Sequence, residues 1–137
     1  MNDEPGEKTR ALLREIITSF EMLEIVLLMR AQSDLSWTVH SVASRVHVSD
    51  EIVARALQSL HDSRLIQATS TGKAAEYRYA PGTPALVQAA DELATDYDER
   101  RAAVLSTMST NAIERLRSGA LSAFADAFVL GSKRKDG

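Results

Sequence analysis

The chain has no cysteine. Disulfides, thiolate nucleophiles and cysteine-bearing zinc sites are thereby excluded, and a reducing compartment is the natural setting. It also lacks an excess of either charge. Sixteen Lys and Arg stand against nineteen Asp and Glu, a formal net charge of −3, so this is not a chain that binds nucleic acid by bulk positive charge. Long apolar runs are missing too. The most apolar stretch, residues 25–29, is bracketed by Glu24 and Arg30, and five residues cannot cross a hydrocarbon core that needs about 20. The opening residues 1–7 are acidic and polar, unlike the basic-then-apolar start of a secretory signal. The expected location is the cytoplasm, without a membrane partner.

The signatures of catalysis are equally scarce. No Gly-x-Ser-x-Gly elbow occurs. The cluster Ser70-Thr71-Gly72-Lys73 has one glycine and opens no helix, so it is not a phosphate loop. His40, His47 and His61 are 7 and 14 residues apart, whereas zinc needs three or four converging ligands. Asp96, Asp98 and Glu99 precede Arg100 and Arg101, a pattern of ion-paired helix surface. The expectation is a non-enzyme without cofactor or metal.

What is present is a single soluble domain: 137 residues, 45% hydrophobic and 26% charged. Residues 8–32 show helical periodicity through Leu12, Leu13, Ile16, Ile17, Phe20, Leu23, Val26 and Leu27, with Thr18 and Glu21 spaced as a capping box that would divide it in two. A short strand at 37–39 and a compact helix at 40–46 follow. Ser49 then caps a helix over 50–63, whose apolar stripe is Ile52, Val53, Ala56, Leu57 and Leu60. Residues 65–69 and 76–80 read as strands joined by the turn cluster at 70–73. Thr83 caps, and Pro84 opens, a helix to about 108. Ser109-Thr110-Asn111 breaks the chain, and a last helix runs over 112–130. It is not a clean heptad.

This order over residues 37–80 is that of a winged helix-turn-helix. The run from Val42 to Ile66 resembles the core of bacterial winged-helix regulators. Ala43 stands at the small position where two helices approach, Val48-Ser49 at the turn and cap, Leu60 at the late core leucine, and Leu65-Ile66 at the first wing strand. Arg64 departs from the pattern, standing where those families carry a glycine of positive φ. The Asp-x-Arg wing arrangement of the MarR family is absent, although the flanking helices are MarR-like or PadR-like in layout. The resemblance implies a mainly α (α+β) fold: a winged helix-turn-helix with a two-stranded β-hairpin wing, between an N-terminal helical segment (8–32) and C-terminal helices (83–130) that dimerise.

Two functions follow from it. In the first, the chain is a dimeric regulator of transcription that binds duplex DNA. Helix 50–63 enters the major groove, where Arg55 suits guanine, Gln58 adenine and Glu51 the cytosine amino group. Ser49, Lys73 and Arg78 hold phosphates. Phe20, Leu27, Leu121, Phe124 and Phe128 supply the dimer interface, beyond what a winged-helix core covers. A small-molecule effector in a cleft of Trp37, Tyr77, Tyr79 and Tyr97 is a subsidiary expectation. In the second, the fold serves as a protein-interaction module without DNA binding. Residues 33–80 carry five bases against five acids, and Asp50 and Glu51 occupy the helix N-terminus that would otherwise face phosphate.

Overall fold

The computed structural model describes residues 4–69 and 75–136, with side chains up to residue 127. Among these residues the chain forms α1 (Glu7–Glu15), α2 (Phe20–Ala31), β1 (Ser36–Thr38), α3 (Val39–Val46), α4 (Asp50–Asp62), β2 (Ile66–Ala68), β3 (Glu76–Tyr79), α5 (Pro84–Glu99) and α6 (Arg101–Asp136).

The segment 8–32 is two helices, and the cap between them is Ser19 rather than Thr18. Ser19 has the extended backbone of an N-cap (φ −136°, ψ 156°), and its Oγ accepts the Met22 amide at 3.2 Å. The Thr18 hydroxyl turns instead to Met22 Sδ at 3.7 Å. Helix α2 buries Met22, Leu23, Ile25, Val26 and Met29. Such a helix, apolar nearly all round, belongs inside. Around it pack α3, α4 and β3, with Leu57, Leu60, Leu65 and Ile66 fully buried.

The expected hairpin gains a third strand. The sheet order is β1-β3-β2, antiparallel throughout. Trp37 pairs with Tyr77, and Ile66 with Tyr79, on the face turned to the core, whereas Ala68, the other neighbour of Tyr77, is exposed. Ser36, Arg78 and Gln67 form the exposed cross-strand row.

The C-terminal break is displaced from its expected place. Ser109-Thr110-Asn111 lies inside α6, and the chain bends at Arg100 (φ −136°, ψ 46°). The penalty that serine, threonine and asparagine carry inside a helix is small enough for packing to override, and Asn111 Nδ2 donates to Leu13 O at 3.3 Å, tying α6 to α1.

Residues 4–7, acidic and polar in the sequence, are tied into the fold. Pro5 is buried, and Gly6 is the N-cap of α1 with no side chain to cap it. The cap comes from α5. Asp96 Oδ2 accepts from the Gly6 amide at 2.9 Å and from Thr9 Oγ1 at 2.6 Å, while Glu92 Oε2 accepts from the Thr9 amide at 2.8 Å. Two carboxylates thus meet the positive end of α1. A Cβ at Gly6 would lie 2.5 Å from the Glu92 carboxyl carbon, so this approach suits glycine. Asp96, expected on the surface, is 4% exposed and also pairs with Arg100 at 2.9 Å.

Helix α6 is 36 residues long, about 54 Å at 1.5 Å per residue. Its first turns bury Val104 and lean Leu105 and Met108 on the core. From residue 113 to residue 127 every side chain is exposed.

Candidate nucleic-acid interface

Helix α3 begins with a capping box: Thr38 Oγ1 accepts the Ser41 amide at 3.0 Å, and Ser41 Oγ accepts the Thr38 amide at 2.9 Å. It ends at His47, whose backbone is left-handed (φ 58°, ψ 45°), with the Val48 amide returning to Ala43 O at 3.3 Å. That reversal makes the turn. Ser49 then caps α4, its Oγ accepting from Ile52 N at 3.4 Å. Buried Ala43, with no side chain beyond Cβ, lets α3 and α4 approach.

Val53, Ala56, Leu57 and Leu60 anchor α4 to the core. Ile52, expected in that stripe, is 45% exposed and lies at a shallow groove with Met22, because it stands at the stripe's edge. The outward row is Glu51, Arg55, Gln58 and Asp62, all exposed. These four are paired along the helix. Arg55 Nη2 is 2.7 Å from Glu51 Oε1, and Gln58 Nε2 donates to Asp62 Oδ1 at 2.9 Å. At the entrance to α4, His40 Nδ1 stands 3.3 Å from Asp50 Oδ2.

The chain leaves α4 through Arg64, which holds a positive φ of 67°. The residue in the glycine position therefore keeps glycine's conformation. Its carbonyl accepts the Gly82 amide at 2.9 Å, joining the two ends of the sheet segment. Arg78 lies exposed on the outward face of β3, with Nε donating to Ser33 O at 3.3 Å. Ser49, Glu51, Arg55 and Gln58 thus share the start and outer face of α4, while Arg78 belongs to the sheet. Lys73 lies outside the described residues.

Two exposed cations were left unassigned by sequence reasoning: Arg64, and Arg45, whose guanidinium sits 5.8 Å from the Trp37 ring centroid. The positive φ required at the Arg64 position was the available signal for the first. No sequence signal marks the second, since its stacking depends on β1 lying beside α3.

The four aromatic residues do not form one cleft. Trp37 and Tyr77 are buried partners in the sheet, whereas Tyr97 lies on α5 under Arg101, 4.6 Å from its guanidinium. Trp37 Nε1 and the Tyr79 hydroxyl are buried without hydrogen-bond partners. Burial raises the Tyr79 pKa above its ordinary value, opposed in part by Arg30 beside it.

Of the expected dimer residues, Phe20 is 46% exposed, while Leu27 packs half-buried against the core. Leu121 and Phe124 are exposed on α6, together with Ile113 and Leu116. The Phe128 side chain lies outside the described residues. Among the described residues no group of three or more His, Asp or Glu could hold a metal ion, and no helix is long and apolar enough to cross a membrane.

No protein-family model and no curated protein matches the sequence. Solved structures do match. A variant of S. aureus MepR bound to an oligodeoxyribonucleotide aligns with a TM-score of 0.53 at 14% identity, covering 88% of each chain. Weaker likenesses are Lactococcus lactis ZitR, with a TM-score of 0.49 at 20% identity over 80% of this chain and 75% of that one, and reduced HlyU from Vibrio cholerae, with 0.49 at 13% over 66% and 86%. With the element order and sheet topology, the MepR likeness establishes a winged helix-turn-helix. That fold is typical of DNA-binding transcriptional regulators.

Proposed function

We propose that the chain is a homodimeric transcriptional regulator that binds duplex DNA, with α4 in the major groove and the β2–β3 wing on the backbone. The carrying observation is the outward row Glu51, Arg55, Gln58 and Asp62, polar and fully presented on a helix whose other face is locked into the core. A protruding helix of this kind fits the major groove, and arginine and glutamine are side chains that read guanine and adenine there. The oligodeoxyribonucleotide in the MepR structure supports DNA as the ligand class.

The dimer reading rests on α6. Ile113, Leu116, Leu121 and Phe124 lie within one side of the helix and are 55–75% exposed. A second copy would cover them, and a two-fold axis would set two α4 helices about 34 Å apart, one turn of duplex. Binding to a panel of duplexes tests the DNA reading: Arg55→Ala should lose discrimination between them, and equal binding of parent and variant to every duplex would refute base reading by α4.

One observation favours the protein-interaction alternative. Asp50 and Glu51 put two acids on the first turn of α4, and Arg55 is already paired with one of them. A basic protein partner suits that surface, and a complex with such a partner, without measurable DNA affinity, would establish it.

A further inference from the structure

Eight large apolar side chains are exposed among the described residues. Four of them form the α6 face, while Phe20, Leu35 and Val87 lie on α2, in the loop before β1 and on α5. Ile52 alone belongs to the helix-turn-helix. It stands in the first turn of α4, its amide donating to the capping Ser49 Oγ at 3.4 Å. At 45% exposure it is not held by the core, whose anchors Val53, Ala56, Leu57 and Leu60 run along the inner side of the helix. Isoleucine is β-branched and a poorer helix former than alanine, lysine or glutamate, so helix propensity does not account for it there.

Its neighbours indicate what covers it. Ile52 and Arg55 are three residues apart, a spacing that brings Cβ atoms on a helix to about 5–6 Å. Both border a shallow groove of about 260 Å³, together with Met22, Ala56 and Ser59. Arg55 is the side chain assigned above to a guanine edge. The first turn of a recognition helix is the part that reaches base edges. There the major groove presents one apolar group, the C5-methyl of thymine. Against the other bases isoleucine offers neither donor nor acceptor, and their polar edges would lose water to it without replacement.

We propose that Ile52 determines specificity by packing on the C5-methyl of a thymine close to the guanine read by Arg55. The inference rests on the DNA-binding reading above and adds a base to it. A separation of about 5–6 Å lies between one and two base-pair steps of about 3.4 Å, so the thymine falls within two base pairs of that guanine.

The test removes the methyl and leaves the pairing. A duplex is selected by the full chain from a random-sequence pool, and deoxyuridine, which pairs like thymine but lacks the C5-methyl, replaces each thymine in turn. Fluorescence anisotropy then compares parent and Ile52→Ala on every form. The parent should lose roughly fourfold in affinity per half-site at one thymine near the guanine, the worth of one buried methyl. Ile52→Ala should bind the thymine and deoxyuridine forms at that position equally, about as the parent binds the deoxyuridine form. Alanine favours helix and leaves the core anchors in place, so the variant should keep the parent's circular dichroism. A parent indifferent to every replacement would overturn the proposal and give Ile52 to a protein partner instead. An Ile52→Ala protein that keeps the full loss at that thymine would overturn it too, and in both cases DNA binding itself would stand. Failure to recover any duplex from the pool would overturn the DNA reading, and this inference with it.

Discussion

The Glu51 carboxylate holds the Arg55 guanidinium at 2.7 Å, one turn apart on the outward face of α4. Both side chains are largely exposed, at 77% and 75%. An exposed pair of this kind contributes only about 0–1 kcal/mol, so a guanine edge competes for Arg55 at little cost. The same pair removes one cation from the surface while no DNA is present.

Opposite effects are therefore expected from its two members. Arg55→Ala should weaken binding to a preferred duplex by about 1–3 kcal/mol, roughly 5-fold to 160-fold. Glu51→Gln frees Arg55 and deletes a negative charge, so it should tighten binding to random duplex. Parallel titrations by anisotropy at one fixed salt concentration check both signs.

The clasp between α1 and α5 makes a stability prediction. Asp96→Ala leaves the Gly6 amide, the Thr9 hydroxyl and Arg100 without their common acceptor, and should cost about 3 kcal/mol. Gly6→Ala displaces the Glu92 carboxylate from the Thr9 amide and should cost about 1 kcal/mol. Urea denaturation followed by circular dichroism measures each.

Arg64 predicts the reverse. Its φ of 67° is a conformation that burdens any residue with a Cβ. Arg64→Gly relieves that strain and keeps the backbone bond to Gly82, so the unfolding midpoint should rise, by about 1 kcal/mol in stability. A fall of similar size would mean that the Arg64 side chain contributes more to the fold than its exposed position indicates.

The residues that sequence reasoning read correctly act through near neighbours. Ser49 caps an amide three residues on, and Thr83 does the same for Leu86 at 3.1 Å. The stripe of Val53, Ala56, Leu57 and Leu60 is a helical period. Where the reading went astray, a distant partner decides. Asp96 looks like surface until Gly6 and Thr9, far away along the chain, approach it. The bend at Arg100 has neither glycine nor proline to announce it, and the Ser109–Asn111 cluster that resembled a break is held helical, with Asn111 reaching Leu13. Strand β1 joins the wing only because β3 lies alongside it. For the candidate interface, residue types and helix face were legible, but the pairing of Arg55 with Glu51 and of His40 with Asp50 required the geometry.

Tyr79 links stability to alkaline pH. Burial raises its folded pKa above the unfolded value near 10, so the folded state keeps the phenol proton longer. That contribution is fully present below about pH 10 and is lost as pH rises through the folded pKa. Tyr79→Phe removes the buried, unpartnered hydroxyl. It should leave neutral-pH stability equal or about 1 kcal/mol higher and should flatten the decline above pH 10 in a denaturation series.

The exposed face of α6 predicts the oligomeric state. Leu116 and Leu121 are 75% and 65% exposed, so Leu116→Glu with Leu121→Glu leaves the protomer core intact. Sedimentation equilibrium should find a dimer in the parent and a folded monomer in the variant. An equally tight dimer in both would remove α6 from the interface.

The most direct test of the account is anisotropy of a labelled random duplex, roughly 30 base pairs or three helical turns, titrated with the parent protein across a salt series. The account predicts saturable binding whose logarithm falls linearly and steeply with the logarithm of salt. Folded protein that leaves the duplex unbound even at low salt would contradict it.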